Sequence, residues 1–559
     1  MIGALCALVA CDSGGGGGGG GGGDGGETAP GTNLTGIFTQ RYDTQRSGLN
    51  LRETALTPSS VTPARFGKLF ACPIDGEAYA EPLVVANLVI AGGVHTVVFV
   101  ATAHDSVYAF DAAANFCVPY WQTSFLGTGI TPVPPSDTGE SGDINKEIGI
   151  IGTPVIDPGS RTLFVAAKTR ETVGVGCSGA SPCYRQRLHA LDLATGDEKF
   201  NGPAEISNAI TVAGNGDTGD ATCPAAPTRV PFCPLHENQR GSLLLLNGRV
   251  YLSWSAHGAN FPYHGWLMGF SASDLRQAPT VFNDTRNGAQ GGIWMSGTGP
   301  AVDDGGNIYL MTGNGIFDTA PPRANYAMSF LKLSTPGLAV LDFFTPSNQA
   351  DLNAADLDLG SGGALVLPDA AGSADHPHLA IGGGKEGVLF LVDRDNLGGF
   401  SAAVNHVVQA VTVSSGSPCM ICGIFSTPVY WAGHLYVVPV GDVVKQYSLA
   451  NAALSATPTR SGSEVFGFPG ASPVISANGS TGAILWLLDT SDNGTPNGSG
   501  SNGPAILYAY DPLTLSVLFS SPTGGAGAAG DAVKFTVPTV TFGRVYVGTQ
   551  TELSVFGLR

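Results

Sequence analysis

The sequence has 559 residues with 80 Gly, 37 Pro and only 13% charged residues, a composition that favours many short strands joined by turns over long helices. Its formal net charge of -18 argues against nucleic acid as a partner and against adhesion to anionic lipid headgroups, because both are bound by clusters of Lys and Arg. A protein, a glycan or a small molecule is the expected partner of a chain that we predict to be a monomer.

The first residues have the features of an export signal. A short apolar run ends in the letters LVAC at residues 8–11, which resemble the signal of bacterial lipoproteins, and Cys11 is therefore the predicted lipidation site. Residues 1–11 are interpreted as this signal, and residues 12–32, with ten consecutive glycines at 14–23, as a flexible tether. We expect the protein in the bacterial cell envelope, held only by a lipid anchor, in the periplasm or at the outer membrane or surface. An ordinary secretory signal is the alternative.

Beyond the signal, eight cysteines form couples that suit disulfides in an oxidising compartment. The expected pairs are Cys72 with Cys117, Cys177 with Cys183, Cys223 with Cys233, and Cys419 with Cys422. For the last pair, half of a zinc site or a redox dithiol are the alternatives.

A repeated pattern of short alternating strands runs through residues 33–559, which we interpret as a single domain. The pattern is first complete at residues 82–121 and starts eight times. A nearly uncharged run at 82–103 is long enough to cross a membrane, but a Gly-Gly pair and its many valines favour two buried strands. The last repeat lacks an outer strand, and residues 66–75 are predicted to supply it. The sequence therefore predicts an all-β fold, an eight-bladed β-propeller of four-stranded antiparallel blades closed by an N-terminal strand.

The repeats resemble those of pyrroloquinoline-quinone-like propellers. The residues that carry this resemblance are VFVATAHDSVYAFDA at 98–112, GTPVID at 152–157 with RLHALDLATGDE at 187–198, STPVYW at 426–431 and GRVYVGTQTELSVF at 543–556. Such repeats occur in quinoprotein alcohol dehydrogenases and in an outer-membrane assembly lipoprotein whose propeller is a protein-binding scaffold. The resemblance covers residues 33–559.

The resemblance implies two functions of different classes. As a scaffold, the propeller of a cell-envelope lipoprotein binds a ligand or protein partner, and this is the leading prediction, because the sequence has no adjacent cysteines and no calcium-ligand set that maps by motif. The alternative is a quinone- and calcium-dependent alcohol or sugar dehydrogenase. That family holds pyrroloquinoline quinone over calcium and uses an Asp as the base, for which Asp358 and Glu147 are the candidates here.

The long loops indicate the face that binds the ligand. Insertions at residues 168–186, 256–264, 313–326 and 489–503 all leave the blades on the side where the inner strands begin, and long loops on a rigid scaffold are where binding residues concentrate. His257 and His264 are interpreted as hydrogen-bonded loop residues, and no metal site is predicted. The predicted ligand-binding residues are His104, Glu147, Gln239, Arg240, His257, His264, Trp294, Asn314, Asp358, Ser361, Lys385 and Glu386.

Overall fold

The computed structural model describes residues 33–139, 142–219, 222–224, 227–258, 261–414 and 416–559. Eight small sheets stand around a central axis, which confirms the predicted eight-bladed propeller. The predicted signal, the lipidation site at Cys11 and the tether lie outside the described residues.

Each blade has four antiparallel strands that run outward from the axis. Those of blade one are Leu83–Ile90, Gly93–Ala101, Ser106–Asp111 and Pro119–Ser124. Those of blade two are Val155–Asp157, Thr162–Glu171, Cys183–Asp192 and Ala204–Ile206. Those of blade three are Leu244–Leu246, Arg249–Ala256, Trp266–Ser271 and Thr280–Asn283. Those of blade four are Ala301–Val302, Ile308–Met311, Phe330–Leu333 and Val340–Thr345.

The second half of the ring repeats this arrangement. The strands of blade five are Leu365–Val366, Leu379–Gly383, Val388–Asp393 and Gln409–Thr412. Those of blade six are Val429–Trp431, His434–Val437, Asp442–Ala450 and Arg460–Phe466. Those of blade seven are Val474–Asn478, Thr481–Asp489, Ile506–Tyr510 and Val517–Ser520. Those of blade eight are Thr539–Thr541, Arg544–Gly548, Glu552–Leu558 and, as the outermost strand, Phe66–Pro73.

Shorter elements extend or connect the blades. The added strands are Thr35–Ile37 on blade one, Ile130–Pro132 on blade two, Glu237–Asn238 on blade three, Gly399–Phe400 on blade four, Ala453–Leu454 on blade six and Leu49–Asn50 on blade seven. A separate hairpin joins Thr211–Ala213 to Arg229–Pro231. The helical elements are the α-helix Gln349–Ala354 and the 3-10 turns Pro135–Thr138, Leu359–Ser361 and Asp369–Ala371.

The apolar run at residues 82–103 forms two strands of blade one, as predicted. Leu83–Ile90 and Gly93–Ala101 pair antiparallel and are joined at Ala91 and Gly92, whose φ angles are 51° and 80°. Two successive residues with positive φ match the right-handed twist of a tight hairpin. No helix in the described part of the chain is long and apolar enough to cross a membrane.

The hydrophobic core is divided among the contacts between neighbouring blades. One cluster joins blades one and two through Val85, Val97 and Leu163, another joins blades five and six, and a third joins blades eight and one. Each buried Val or Leu contributes about 1.5–3 kcal/mol. Because both faces of a blade are apolar, a blade is stable only between two others.

The ring closes as the sequence predicts. Phe66–Pro73 pairs antiparallel with Glu552–Leu558, from Phe66 opposite Leu558 to Pro73 opposite Glu552. The Cys72–Cys117 disulfide then ties this strand to blade one. The predicted pairs Cys177–Cys183, Cys223–Cys233 and Cys419–Cys422 are also disulfides.

One end of the axis is filled by residues 38–50, which we call the axial segment. Its backbone carbonyls accept hydrogen bonds from inner strands, for example from Ile156 of blade two to Phe38 and from Val366 of blade five to Gln45. Its two fully buried arginines, Arg41 and Arg46, donate to backbone carbonyls of blades three, four, six and seven.

Candidate functional site

A cleft of about 590 Å³ lies at the open end of the axis. It is formed where the inner strands of blades three to eight begin and where the second strand of a blade turns into its third. Its polar side is lined by Asp143, Arg240, Trp294, Asn314, Asp356, Asp358, Ser361 and Lys385. Its apolar side is lined by Met420, Ile421, Phe425, Phe468 and Phe535.

An ion pair between Asp358 and Lys385 is the centre of the polar side. Asp358 directly precedes the 3-10 turn Leu359–Ser361, and Lys385 lies in the turn between two strands of blade five. The Lys385 Nζ is 2.6 Å from Asp358 Oδ2 and 3.4 Å from Asp356 Oδ1. Burial lowers the pKa of Lys385, but the charges of Asp358 and Asp356 outweigh burial and hold the pKa above its ordinary value. The lysine therefore stays charged and holds both carboxylates in place.

Asn314 completes this arrangement. The backbone N–H of Asn314 donates to Asp358 Oδ1 over 2.7 Å, and its side-chain nitrogen donates to Asp356 Oδ1. The side-chain oxygen of Asn314 is buried and has no hydrogen-bond partner. An unpartnered buried carbonyl costs about 1–3 kcal/mol, which a bound ligand would recover.

Trp294 forms a half-buried platform beside Asp358, and two glycines make room for it. A Cβ at Gly313 would lie 2.7 Å from Trp294 Cδ1 and 2.3 Å from Asp358 Oδ1, and one at Gly292 would lie 3.1 Å from the indole nitrogen. That nitrogen is buried without a hydrogen-bond partner. The indole and the carboxylate thus both lie against Gly313, and a side chain at this position would overlap both of them.

Replacing Gly313 by Ala should displace the indole and the carboxylate together, because the added methyl group overlaps both. We expect the affinity of the cleft for a flat aromatic ligand to fall about tenfold or more, measured by quenching of tryptophan fluorescence, while the protein stays folded. Gly337→Ala is the matched control, since a Cβ there meets no atom within 4 Å. Equal affinities of the two variants would contradict this geometry.

A second charged group lies on the Arg240 side of the cleft. Lys534 Nζ is 2.5 Å from Asp143 Oδ1, and Arg240 Nη1 is 3.6 Å from Asp143 Oδ2. Burial raises the pKa of Asp143, but Lys534 and Arg240 outweigh burial and hold the pKa below its usual range. The Arg240 guanidinium also lies 4.3 Å from the ring centroid of Phe535, and its Nε has no hydrogen-bond partner. Two cations that share one carboxylate favour an anion here.

The cleft contains half of the residues predicted from the sequence. Those that line it are Arg240, Trp294, Asn314, Asp358, Ser361 and Lys385. Ser361 has a structural bond as well, since its hydroxyl donates to the carbonyl of Ile424 over 2.7 Å.

The other predicted residues are not among those that line the cleft, and each has a partner elsewhere. His104 and Glu147 pair with each other, with His104 Nδ1 2.9 Å from Glu147 Oε2. Glu147 is therefore not placed with Asp358 as a second acid. The remaining contacts are Gln239 with Gly241, His257 with Lys168, His264 with Thr285 and Asp217, and Glu386 with Asn348.

The ligand-binding residues predicted from the sequence do not include the acids Asp143 and Asp356 or any residue of the apolar side. A positional signal exists for part of that side. Phe425 and Phe535 each stand three residues before the proline that opens an inner strand, Pro428 and Pro538, where the chain passes closest to the axis. Met420 and Ile421 have no such register, because they belong to a disulfide loop.

Comparisons with known proteins show the fold. No protein-family model and no curated protein matches the sequence. Among solved structures, the quinohemoprotein alcohol dehydrogenase from Comamonas testosteroni has a TM-score of 0.57 at 14% identity, over 93% of this chain and 80% of that one. A quinohemoprotein alcohol dehydrogenase from Pseudomonas putida has a TM-score of 0.56 at 13% identity, over 95% and 80%. A europium-containing methanol dehydrogenase has a TM-score of 0.56 at 12% identity, over 95% and 99%.

Proposed function

We propose that the cleft binds a flat, anionic redox cofactor of the pyrroloquinoline-quinone type and that the protein oxidises a hydroxyl group of a small molecule. The observation that carries the proposal is the Asp358 carboxylate directly beside the Trp294 indole. The similarity of the fold to quinoprotein dehydrogenases supports it at the level of architecture alone.

The residues of the cleft suit such a quinone. An indole offers a flat apolar face for an aromatic ring system, and Arg240, whose Nε has no hydrogen-bond partner, offers a charged donor for a carboxylate of the quinone. The unpartnered Trp294 Nε1 and Asn314 Oδ1 offer a further donor and acceptor.

Calcium, which the resemblance also implies, does not fit the described residues. Calcium takes six to eight oxygen ligands. Among the described residues there is no group of three or more His, Cys, Asp or Glu side chains placed to hold a metal. Asp356 and Asp358 already face Lys385, so no step is assigned to calcium.

The chain's own residues would act on the proton of the substrate. When bound, a quinone of this type accepts two electrons and two protons, and the alcohol becomes an aldehyde or ketone. Asp358 would receive the hydroxyl proton, since its carboxylate is held by the Asn314 N–H and by Lys385. Lys385 holds that carboxylate in its orientation, and a substrate packed against the aromatic side of the cleft would limit the access of water.

Binding of a ligand or protein partner without oxidation is the second candidate. The observation that favours it is the 2.6 Å contact between Lys385 Nζ and Asp358 Oδ2, because a base that is already paired is less available for a proton.

Titration with pyrroloquinoline quinone separates the two candidates. We expect the quinone to quench tryptophan fluorescence saturably, and a dye that accepts electrons to be reduced when an alcohol is added. Trp294→Leu should lose most of the quenching. Trp121→Leu should retain the quenching, because the indole that it removes lies away from the cleft and donates a hydrogen bond to the carbonyl of Leu193 in blade two. Quenching without dye reduction would favour the binding role, and no specific quenching would exclude the quinone.

We also propose that the protein is an exported monomer anchored in the cell envelope through a lipid on Cys11. Four disulfides support export, because such bonds persist in oxidising compartments. Mass spectrometry of the mature protein should find a diacylglyceryl group on Cys11 and none after Cys11→Ser.

A further inference from the structure

The apolar side of the cleft exposes two large apolar side chains that are adjacent in the sequence. Met420 and Ile421 are 57% and 38% exposed, and both point into the cleft. Behind them Phe425, Phe468 and Phe535 pack together, with ring centroids 5.1 Å apart between the first two and 5.9 Å between the last two. Contiguous exposed apolar groups at a concave site indicate a ligand that covers them.

The position of Met420 and Ile421 is fixed by the chain around them. The Cys419–Cys422 disulfide closes their loop, and the Cys422 N–H donates to the Cys419 carbonyl over 3.0 Å. The next residues are anchored to blade five, because the Ile424 N–H donates to the Gly384 carbonyl over 3.0 Å. A rigid apolar surface loses little entropy when a ligand binds to it.

This surface is also continuous with the polar side of the cleft. Gly423 has a φ of 76°, and a Cβ there would lie 2.3 Å from the Lys385 carbonyl oxygen. The disulfide loop is therefore pressed against the turn that carries Lys385, the partner of Asp358. One molecule can reach the carboxylate and the apolar residues at the same time.

We propose that the substrate is an alcohol with a bulky apolar group, aryl or aliphatic, that packs against Met420, Ile421 and the three phenylalanines while its hydroxyl reaches Asp358. This inference rests on the proposed oxidation, and it selects apolar alcohols over free sugars and polyols. A polyol that fills the cleft would press hydroxyls against side chains that offer no hydrogen bond, and each buried unpaired hydroxyl costs binding energy.

Equilibrium binding to the protein without added quinone tests this choice. We expect 2-naphthylmethanol, followed by its own fluorescence, to bind at least about tenfold more tightly than xylitol, which is followed by competition. The double variant Met420→Asp, Ile421→Asp should lose about tenfold or more in affinity for 2-naphthylmethanol. Val175→Asp is the control, since Val175 is 99% exposed beside a different disulfide loop.

The outcomes separate this inference from the proposed oxidation. If xylitol binds as tightly as 2-naphthylmethanol, or if the double variant keeps the wild-type affinity, the apolar substrate class is wrong even where the quinone binds and is reduced. If the double variant, unlike the control variant, loses affinity for 2-naphthylmethanol while the protein takes up no quinone, the apolar subsite is supported and the proposed oxidation is wrong. The comparison of the two alcohols on the unaltered protein needs no variant to fold.

Discussion

Replacing Asp358 by Asn is expected to lower the rate of alcohol oxidation by the quinone-loaded protein about 100- to 10,000-fold, the range that a positioned general base contributes. The amide keeps the size of the side chain but cannot accept the hydroxyl proton. Affinity for pyrroloquinoline quinone should change by no more than about threefold, because Trp294 and Arg240 are untouched. Dye-linked turnover and fluorescence titration measure the two effects separately.

Asp395→Asn is the control for this change. Asp395 also has a nitrogen partner, with His378 Nδ1 2.8 Å from its Oδ2, but it lies in the turn after Val388–Asp393, at the end of blade five opposite the cleft. The turnover of the Asp395→Asn variant should equal that of the unaltered protein. An Asp358→Asn protein with more than about one tenth of the normal rate would show that another group takes the proton.

Replacing Arg46 by Met is expected to lower the free energy of unfolding by about 3–5 kcal/mol, because it leaves several buried carbonyls without a charged donor. Arg46 is fully buried and donates to Pro300 of blade four over 2.9 Å, to Gln40 over 2.9 Å and to Leu243 of blade three over 3.4 Å. Its pKa falls to about 10 because burial disfavours the charge, yet it remains protonated at neutral pH. Equilibrium urea unfolding with the disulfides intact measures the difference.

Arg276→Met removes an arginine of the opposite kind. Its side chain is 68% exposed and pairs with Asp274 in a surface turn, so the expected change is below about 0.5 kcal/mol. If both variants unfold at the same urea concentration, the buried hydrogen bonds of Arg46 do not stabilise the fold.

The fold could be predicted because its determinants are local in sequence. Alternating strands such as Gly93–Ala101 and the turns between them recur at short intervals, so that the same pattern can be recognised in each repeat. Three of the disulfides join cysteines that are ten residues apart or fewer, Cys177–Cys183, Cys223–Cys233 and Cys419–Cys422, so their pairing needed no knowledge of the fold. The closing strand followed from the count of strands in the last blade.

The cleft could be predicted only in part, for a geometric reason. Strand order decides at which end of a blade a loop leaves, and this brought Asp358, Lys385 and Trp294 to one end. It does not decide how far a loop residue lies from the axis, so His104 and Glu147 share the end without lining the cleft. The distance of a loop residue from the axis depends on packing between blades, and the sequence of a single repeat does not reveal that packing.

The axial segment also bears on how many blades this protein can have. Its carbonyls meet inner strands in chain order, accepting from Ile156 of blade two, Val302 of blade four, Val366 of blade five and Ile475 of blade seven. In a ring whose repeats contact only their neighbours, an added repeat needs only a small rotation at every contact between blades. Here, a ninth blade would carry the carbonyls of Pro300 and Pro473 away from the arginines that bind them. The blade number is thus constrained by a segment that belongs to none of the repeats.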